Sequence, residues 1–181
     1  MKEKYGKRSV GGNMNLYPKL YLNNVTEITV QMLNQYQIKG IILDVDNTLI
    51  DYDKVLIEGL EQWIDKIKKE KMKLCIVSNS NDKNKVETIA KKLDIPYFYL
   101  AMKPLKGGFK KAQELLQLES KNIAVVGDQI LTDVWGANRC NMFSILVKPI
   151  NEKDIFITKI KRPLENKIIE KIEKQQRKRR K

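Results

Sequence analysis

Two acidic residues, Asp44 and Asp46, follow an apolar run that begins at Ile41. The run is typical of a strand buried on both faces, and side chains two positions apart in a strand point to the same side. Two carboxylates at this spacing repel each other unless a cation lies between them or one of them is protonated. Mg²⁺ prefers carboxylate oxygens and keeps room for waters and a substrate phosphate, so the pair suits a magnesium site. A strand that runs into an Asx turn is the other interpretation, and this motif alone leaves it open.

Four further strands are predicted, and three of them are followed by a polar side chain. Ser78 follows the second strand, Lys103 comes after the third and Asp128 after the fourth; the five strands end near 46, 77, 100, 126 and 147. Helical patterns between them imply right-handed crossovers and a parallel sheet. The fold class is therefore α/β, a doubly wound, Rossmann-like sheet of about five strands flanked by helices. Ligands of such sheets gather beyond the carboxyl ends of the strands, where these polar residues fall.

The connecting elements are predicted from apolar spacing and from helix-stop signals. Helices are expected at 26–37, 58–69, 82–93, from after Gly107-Gly108 to 118, and at 133–139, whereas 16–22 is expected to be an extended segment or a lip of the site. The domain organisation that follows is a flexible leader at 1–15, one α/β domain at 16–158 and a basic helix or tail at 159–181.

Composition excludes several classes of site. The chain has 181 residues, a net charge of +13 and no histidine, which rules out histidine nucleophiles, histidine bases and histidine-ligated zinc. The strong positive charge favours anionic partners. Cys75 and Cys140 do not have the spacing of a metal site or a disulfide framework, so a reducing compartment is expected. Residues 1–10 lack the apolar core of a signal peptide, and no apolar run is long enough to cross a bilayer.

The strand ends together resemble the four motifs of the haloacid dehalogenase-like phosphatases, and the resemblance covers roughly Leu16 to Pro149. Motif one is read at Asp44-Val45-Asp46-Asn47-Thr48-Leu49, motif two at Ser78, motif three at Lys103, and motif four at Gly127-Asp128 with Asp133 following. More narrowly, Met102-Lys103-Pro104, Gly127-Asp128-Gln129 and Gly136-Ala137-Asn138-Arg139 resemble the YqeG-type branch of subfamily IIIA. That branch is similar to the phosphatidylglycerophosphate phosphatases of mitochondria and plastids.

The resemblance implies a mechanism and a set of site residues. Asp44 is expected to attack phosphorus and form an aspartyl-phosphate, and Asp46 to protonate the leaving oxygen and then activate water. Asp44, Asp128 and the backbone carbonyl of Asp46 are expected to bind Mg²⁺. The residues expected to hold the phosphate or to fix the turn beside it are Thr48, Ser78, Asn79 and Lys103. Asp133 is expected either to support or bind the metal, or to cap a helix.

Neither a cap domain nor a long insertion separates these motifs, so a capless, open site is expected. The best substrate is phosphatidylglycerophosphate; a nucleotide, a sugar phosphate or a polynucleotide end is the alternative, and an RNA- or ribosome-associated module is a further one. The basic segment at 159–181 is interpreted as a contact for an anionic membrane, a contact for RNA or a solvated tail. A cytoplasmic location is expected, with peripheral association at the inner face of the membrane.

Overall fold

A computed structural model describes residues 15–151 and 167–174. In this part of the chain, six parallel strands form one sheet in the order β1-β6-β5-β2-β3-β4. The strands are β1 (Leu20–Leu22), β2 (Gly40–Leu43), β3 (Lys73–Val77), β4 (Tyr97–Phe98), β5 (Ile123–Gly127) and β6 (Phe143–Val147). The α/β class and the parallel sheet are confirmed. Residues 1–14 of the predicted leader, and residues 159–166 and 175–181 of the predicted basic segment, lie outside the described residues, so those domain boundaries stay predictions.

Helices cover both faces of the sheet. They are α1 (Val30–Gln35), α2 (Leu60–Lys69), α3 (Lys83–Leu93), α4 (Lys106–Leu116) and α5 (Trp135–Arg139), with short 3-10 turns at Val25–Glu27 and Ser120–Asn122 and a π-helical turn at Ile130–Val134. Side chains alternate along β2: Ile41 packs in the cluster that contains the apolar faces of α2 and α3, whereas Ile42 packs with those of α4 and α5. A strand covered on both faces has to be apolar throughout, which explains the run before Asp44.

The sheet has one strand more than the sequence predicted. Leu20–Leu22 pairs in parallel with β6, with Leu20 opposite Ile145 and Leu22 opposite Val147. This stretch was expected to be an extended segment or a lip of the site, and the structure shows it extended, as an edge strand of the sheet. The helix predicted at 26–37 is also shorter, because the Thr29 side chain accepts the backbone N–H of Met32 and starts α1 only at Val30.

Residues 167–174 form a helix that packs on the domain. Ile168 and Ile172 are buried in a cluster with Ile130, Val134 and Leu146. The apolar face of this helix therefore contacts the protein itself, and its charged face is left exposed. Among the described residues, no helix combines the length and the hydropathy needed to cross a membrane.

Candidate active site

Asp44 follows directly after β2, and its backbone is held by the sheet. The backbone N–H of Asp44 donates to Val126 O of β5 at 2.9 Å, which continues the sheet by one residue. The turn that follows is closed on one carbonyl: the backbone N–H groups of Thr48, Leu49 and Ile50 all donate to Val45 O. Asp44 is consequently buried, and Asp46 lies two residues further on at the partly exposed surface of the turn.

Lys103 reaches the same point from the loop after β4. The side chain of Asn79 holds the backbone of Lys103 on both sides, accepting its N–H at 2.6 Å and donating to its carbonyl at 3.0 Å. The Lys103 ammonium lies 2.6 Å from Asp44 Oδ1 and 2.6 Å from Asp133 Oδ1, and all three side chains are almost fully buried. One cation thus bridges two carboxylates that come from different elements, the end of β2 and the turn before α5.

Three carboxylates converge around this lysine. Asp44, Asp128 and Asp133 each offer an oxygen, and these oxygens lie within 4.8 Å of one another. Asp128 Oδ1 is buried and has no hydrogen-bond partner among the residues that the structure describes. A buried carboxylate oxygen without a donor is costly unless a cation occupies the space beside it. Hard carboxylate ligands in this number suit Mg²⁺, so the trio fits the ion that the sequence implied.

Burial and crowding shift the protonation of these groups. Burial raises the pKa of Asp44 to about 6; the neighbouring Lys103 opposes this shift and Asp133 adds to it. Burial also raises the pKa of Asp128 well above its ordinary value, and the charges of Asp44 and Asp133 raise it further. Burial alone would lower the pKa of Lys103, but the carboxylates of Asp133 and Asp44 outweigh it and raise that pKa. In the absence of a metal, full ionisation of the three carboxylates would place more negative charge in the site than Lys103 can balance, which is why these pKa values are raised.

Asp133 lies against the last residue of β5. A Cβ on Gly127 would collide with the Asp133 carboxylate, so only glycine allows this close approach. The other carboxylate oxygen of Asp133 accepts the backbone N–H of Gln129 at 3.2 Å and the Thr132 hydroxyl at 3.3 Å. Asp133 is thus both a member of the carboxylate trio and an acceptor for the turn before α5, and its role in metal binding stays a prediction.

The remaining predicted residues lie close by with different contacts. The Thr48 hydroxyl is buried without a hydrogen-bond partner in the described part of the chain. The Ser78 hydroxyl accepts the backbone N–H of Ser80 at 3.1 Å, and Asn79 holds Lys103 as described above. The carboxyl of Asp46 is not part of the carboxylate trio. Its backbone carbonyl was the predicted metal ligand, and that role stays a prediction.

Lys85 was not singled out from the sequence. Its ammonium lies 2.6 Å from Asp46 Oδ1, at the first turn of α3. A lysine near the start of a helix gives no motif signal, and only the packing of α3 beside the turn after β2 brings it to the site. Asn138, a residue of the motif-like stretch in α5, has a structural role instead: it donates to Asn15 O and Tyr17 O and accepts from Ser144 Oγ.

Comparison with solved structures agrees with this architecture. A haloacid dehalogenase-superfamily hydrolase from Ehrlichia chaffeensis superposes with a TM-score of 0.54 at 16% identity, over 66% of this chain and 94% of that one. An uncharacterized protein from Listeria monocytogenes serotype 4b gives a TM-score of 0.54 at 20% identity, over 64% of this chain and 84% of that one. At these identities the likeness establishes the fold.

A protein with a similar sequence indicates the class of protein more closely than the fold alone. The Bacillus subtilis (strain 168) protein named Probable phosphatase YqeG is 37% identical over 153 residues, which are 84% of this chain and 88% of that protein. The fold, the carboxylate site and this relative define a phosphatase of the haloacid dehalogenase-like superfamily. Within that class the chain belongs to the family described as mitochondrial PGP phosphatase, whose family model matches residues 8–151.

Proposed function

We propose that this protein is a Mg²⁺-dependent phosphomonoester hydrolase that works through an aspartyl-phosphate on Asp44, and that its substrate is phosphatidylglycerophosphate. The observation that carries the proposal is the convergence of Asp44, Asp128 and Asp133 on Lys103 at the buried end of the central strand. A carboxylate held beside a fixed cation, with a second acidic side chain two residues away, is what a covalent phosphoryl transfer requires.

In the first step the Asp44 carboxylate attacks phosphorus and the ester P–O bond breaks. Asp46 gives its proton to the departing ester oxygen, so this oxygen leaves as a neutral hydroxyl group of the product. Lys103 is placed beside the nucleophile, where its charge also offsets the negative charge of the phosphoryl oxygens. The Thr48 and Ser78 hydroxyls are buried next to the turn and the second strand end, and are proposed to donate to those oxygens.

In the second step water attacks the phosphorus of the aspartyl-phosphate. The Asp46 carboxylate, deprotonated by the first step, takes a proton from that water as the bond between Asp44 and phosphorus breaks. Inorganic phosphate leaves, Asp44 is restored as a carboxylate and Asp46 is protonated again. The partial exposure of Asp46 supports this double role, because the carboxyl has access to both the leaving group and water.

Asp44, Asp128 and Asp133 would hold the metal, and Asp128 Oδ1 would gain the partner that it lacks among the described residues. When bound, Mg²⁺ supplies positive charge that neutralises the phosphate oxygens and the clustered carboxylates.

The lipid substrate is supported by three features. The matched family is described by its activity on PGP. Between Asp46 and the start of α2 at Leu60 the chain forms a turn with isolated bridges, so no cap closes the site from that side. Leu100, Met102 and Leu105 are exposed in the loop that carries Lys103, whose ammonium contacts Asp44, and we propose that they act as an apolar rim of the site. With the net charge of +13, this rim supports peripheral contact with an anionic bilayer.

Hydrolysis by the purified full-length protein tests the proposal. Phosphate release is measured with MgCl₂ and with EDTA against short-chain phosphatidylglycerophosphate, a nucleoside monophosphate, a sugar phosphate and a 5′-phosphorylated oligonucleotide. The lipid phosphate is expected to give the highest kcat/KM, and EDTA is expected to abolish turnover. The Asp44→Asn variant should be inactive, whereas Asp53→Asn, at an exposed acid in the same turn, should behave as wild type.

Two results would contradict different parts of the proposal. Full activity of Asp44→Asn removes the covalent mechanism. A higher kcat/KM for the nucleotide, the sugar or the oligonucleotide removes the lipid substrate and leaves the phosphatase class intact. Membrane contact is tested separately by sedimentation with anionic vesicles, where the combined Leu100→Ser, Met102→Ser and Leu105→Ser variant should bind less than wild type.

A further inference from the structure

Lys85 makes a short, sheltered contact with the proposed acid–base residue. Its ammonium is 2.6 Å from Asp46 Oδ1, and its side chain is only 14% exposed, whereas that of Asp46 is 45% exposed. A carboxyl on a partly exposed turn can adopt several rotamers, so a fixed partner on one side restricts where it points. In the described part of the chain, the Lys85 ammonium donates to this carboxyl.

The start of α3, which carries Lys85, also contacts the segment that follows Asp46. Asp82 caps α3 by accepting the backbone N–H of Lys85 at 3.0 Å. The same Asp82 carboxylate lies 3.5 Å from the ammonium of Lys54, which belongs to the segment after Asp46. The first turn of α3, which carries Lys85, and the segment after Asp46 are thus joined by an exposed ion pair, a contact that adds little stability.

A cavity of about 220 Å³ lies between the segment that follows β2 and the first turn of α3. It is lined by Asp46, Asn47, Asp51, Tyr52, Lys54 and Lys85. Asp46 is the residue that the cavity shares with the proposed chemistry, and its position in the wall means that a group protonated by Asp46 is released into this space. The lining offers carboxylate, ammonium, amide and phenol groups, which suit a hydroxylated alcohol.

We propose that Lys85 is a positioning residue that holds the Asp46 carboxyl at the wall of the leaving-group cavity, and that this cavity receives the glycerol end of the alcohol product. The inference rests on the proposed function, because it takes Asp46 as the proton donor of the first step. In that step the P–O bond breaks, the Asp46 proton goes to the ester oxygen and the glycerol hydroxyl so formed enters the cavity. Without Lys85 the carboxyl is present but no longer held toward the ester oxygen.

If Lys85 positions Asp46, the loss of kcat/KM on substitution of Lys85 should depend on the leaving group of the substrate. An alkyl alkoxide is a poor leaving group and needs the Asp46 proton, whereas p-nitrophenolate leaves without one. The value of kcat/KM reports the steps up to departure of the alcohol, so it isolates proton donation from the later hydrolysis. The informative quantity is the ratio of kcat/KM on an alkyl phosphate to kcat/KM on p-nitrophenyl phosphate. This ratio does not depend on the fraction of a preparation that is folded.

The experiment compares Lys85→Met, Lys85→Arg and Lys83→Met with wild type, on short-chain phosphatidylglycerophosphate and p-nitrophenyl phosphate with MgCl₂. Lys83 is an exposed lysine of the same helix and does not line the cavity. Lys83→Met therefore removes one positive charge from α3 without changing the contact with Asp46, and it serves as the control. Misplacing the donor should lower kcat/KM on the lipid phosphate by roughly 10- to 100-fold in Lys85→Met, and on p-nitrophenyl phosphate by less than about threefold. Lys85→Arg should restore most of the ratio, and Lys83→Met should keep it at the wild-type value.

Equal losses on both esters in Lys85→Met, or an unchanged ratio, would overturn the positioning role while wild-type hydrolysis still supported the proposed function. An Arg variant as impaired as the Met variant would also overturn it. If wild-type protein hydrolysed neither ester, the proposed function and the role of Lys85 would be rejected together.

Discussion

The ammonium of Lys103 lies 2.6 Å from the nucleophile candidate Asp44, and both side chains are shielded from solvent. A buried ion pair contributes little net stability, but the loss of one partner leaves a charge that nothing compensates. Lys103 also contacts Asp133, so a single lysine balances charge from two of the three clustered carboxylates. This relationship makes the metal-free site sensitive to any change in its charge.

Removal of the Lys103 charge should destabilise the metal-free protein. In Lys103→Met the carboxylates of Asp44 and Asp133 face each other without a cation, and the free energy of unfolding should fall by up to about 3–5 kcal/mol. Urea denaturation at pH 7.5 in EDTA measures this. Lys92→Met, which removes an exposed ion pair with Glu61, is the control and should cost less than about 1 kcal/mol. Equal destabilisation of the two variants would contradict the charge-balancing role of Lys103.

Asp128→Asn should separate metal binding from folding. The variant removes a buried charge whose Oδ1 has no partner in the described part of the chain, so the metal-free protein should be at least as stable as wild type. Wild type should gain stability from MgCl₂, by about 1.4 kcal/mol at ten times Kd, and Asp128→Asn should lose that gain. Thermal melting with MgCl₂ or EDTA measures both effects, with Asp53→Asn as the control that keeps the gain. A full Mg²⁺-dependent shift in Asp128→Asn would exclude Asp128 as a ligand.

The metal-free protein should lose stability as the pH rises from about 4 to about 6. Burial raises the pKa of Asp44 to about 6, above its unfolded value of 3.8, so within this window the native state binds more protons than the unfolded chain. Stability then decreases with rising pH, because deprotonation puts an unfavourable charge in the buried site. Urea unfolding in EDTA across this window measures the slope, and Asp44→Asn should have a flatter one. An identical slope in the two proteins would rule out Asp44 as its source.

Gly127→Ala should disturb the site through Asp133. The added Cβ would overlap the Asp133 carboxylate, which must move away from Lys103 and Asp44. Mg²⁺ affinity, measured by titration calorimetry, and phosphatase activity should both fall by roughly tenfold or more, as expected when a group that supports a ligand set is displaced. Gly107→Ala is the matched control: its Cβ meets nothing within 4 Å, and the change should leave affinity unaltered. An unchanged Mg²⁺ affinity in Gly127→Ala would show that Mg²⁺ binding does not require the Asp133 carboxylate at its position in this structure.

Much of this architecture is readable from local sequence patterns. The buried run before Asp44 and the apolar spacing of α2 follow periodic rules, and the site forms where the predicted strands end. Edge strand β1 was not predicted because Leu20–Leu22 is short and follows Pro18, and only its pairing with β6 makes it a strand. Its neighbours in space, residues 145–147, are far away in sequence.

Some residues of the candidate site could likewise be predicted from sequence patterns, and others could not. Asp44, Lys103 and Asp128 were predicted together because each follows a strand, and the structure brings them together. The role of Asp133 depends on the π-helical turn at Ile130–Val134 and on the missing side chain of Gly127, which no periodic pattern encodes. The contact between Lys85 and Asp46 depends on how α3 packs, so it could be found only in three dimensions.

The helix at 167–174 affects how shortened forms of this protein should be designed. Ile168 and Ile172 cover Ile130 and Val134, which belong to the turn that holds Asp133 in place. A truncation before residue 167 would expose that turn from behind, and any resulting loss of turnover would report a loosened carboxylate instead of a missing membrane contact. Deletions meant to test the basic tail should therefore keep the chain through Lys174.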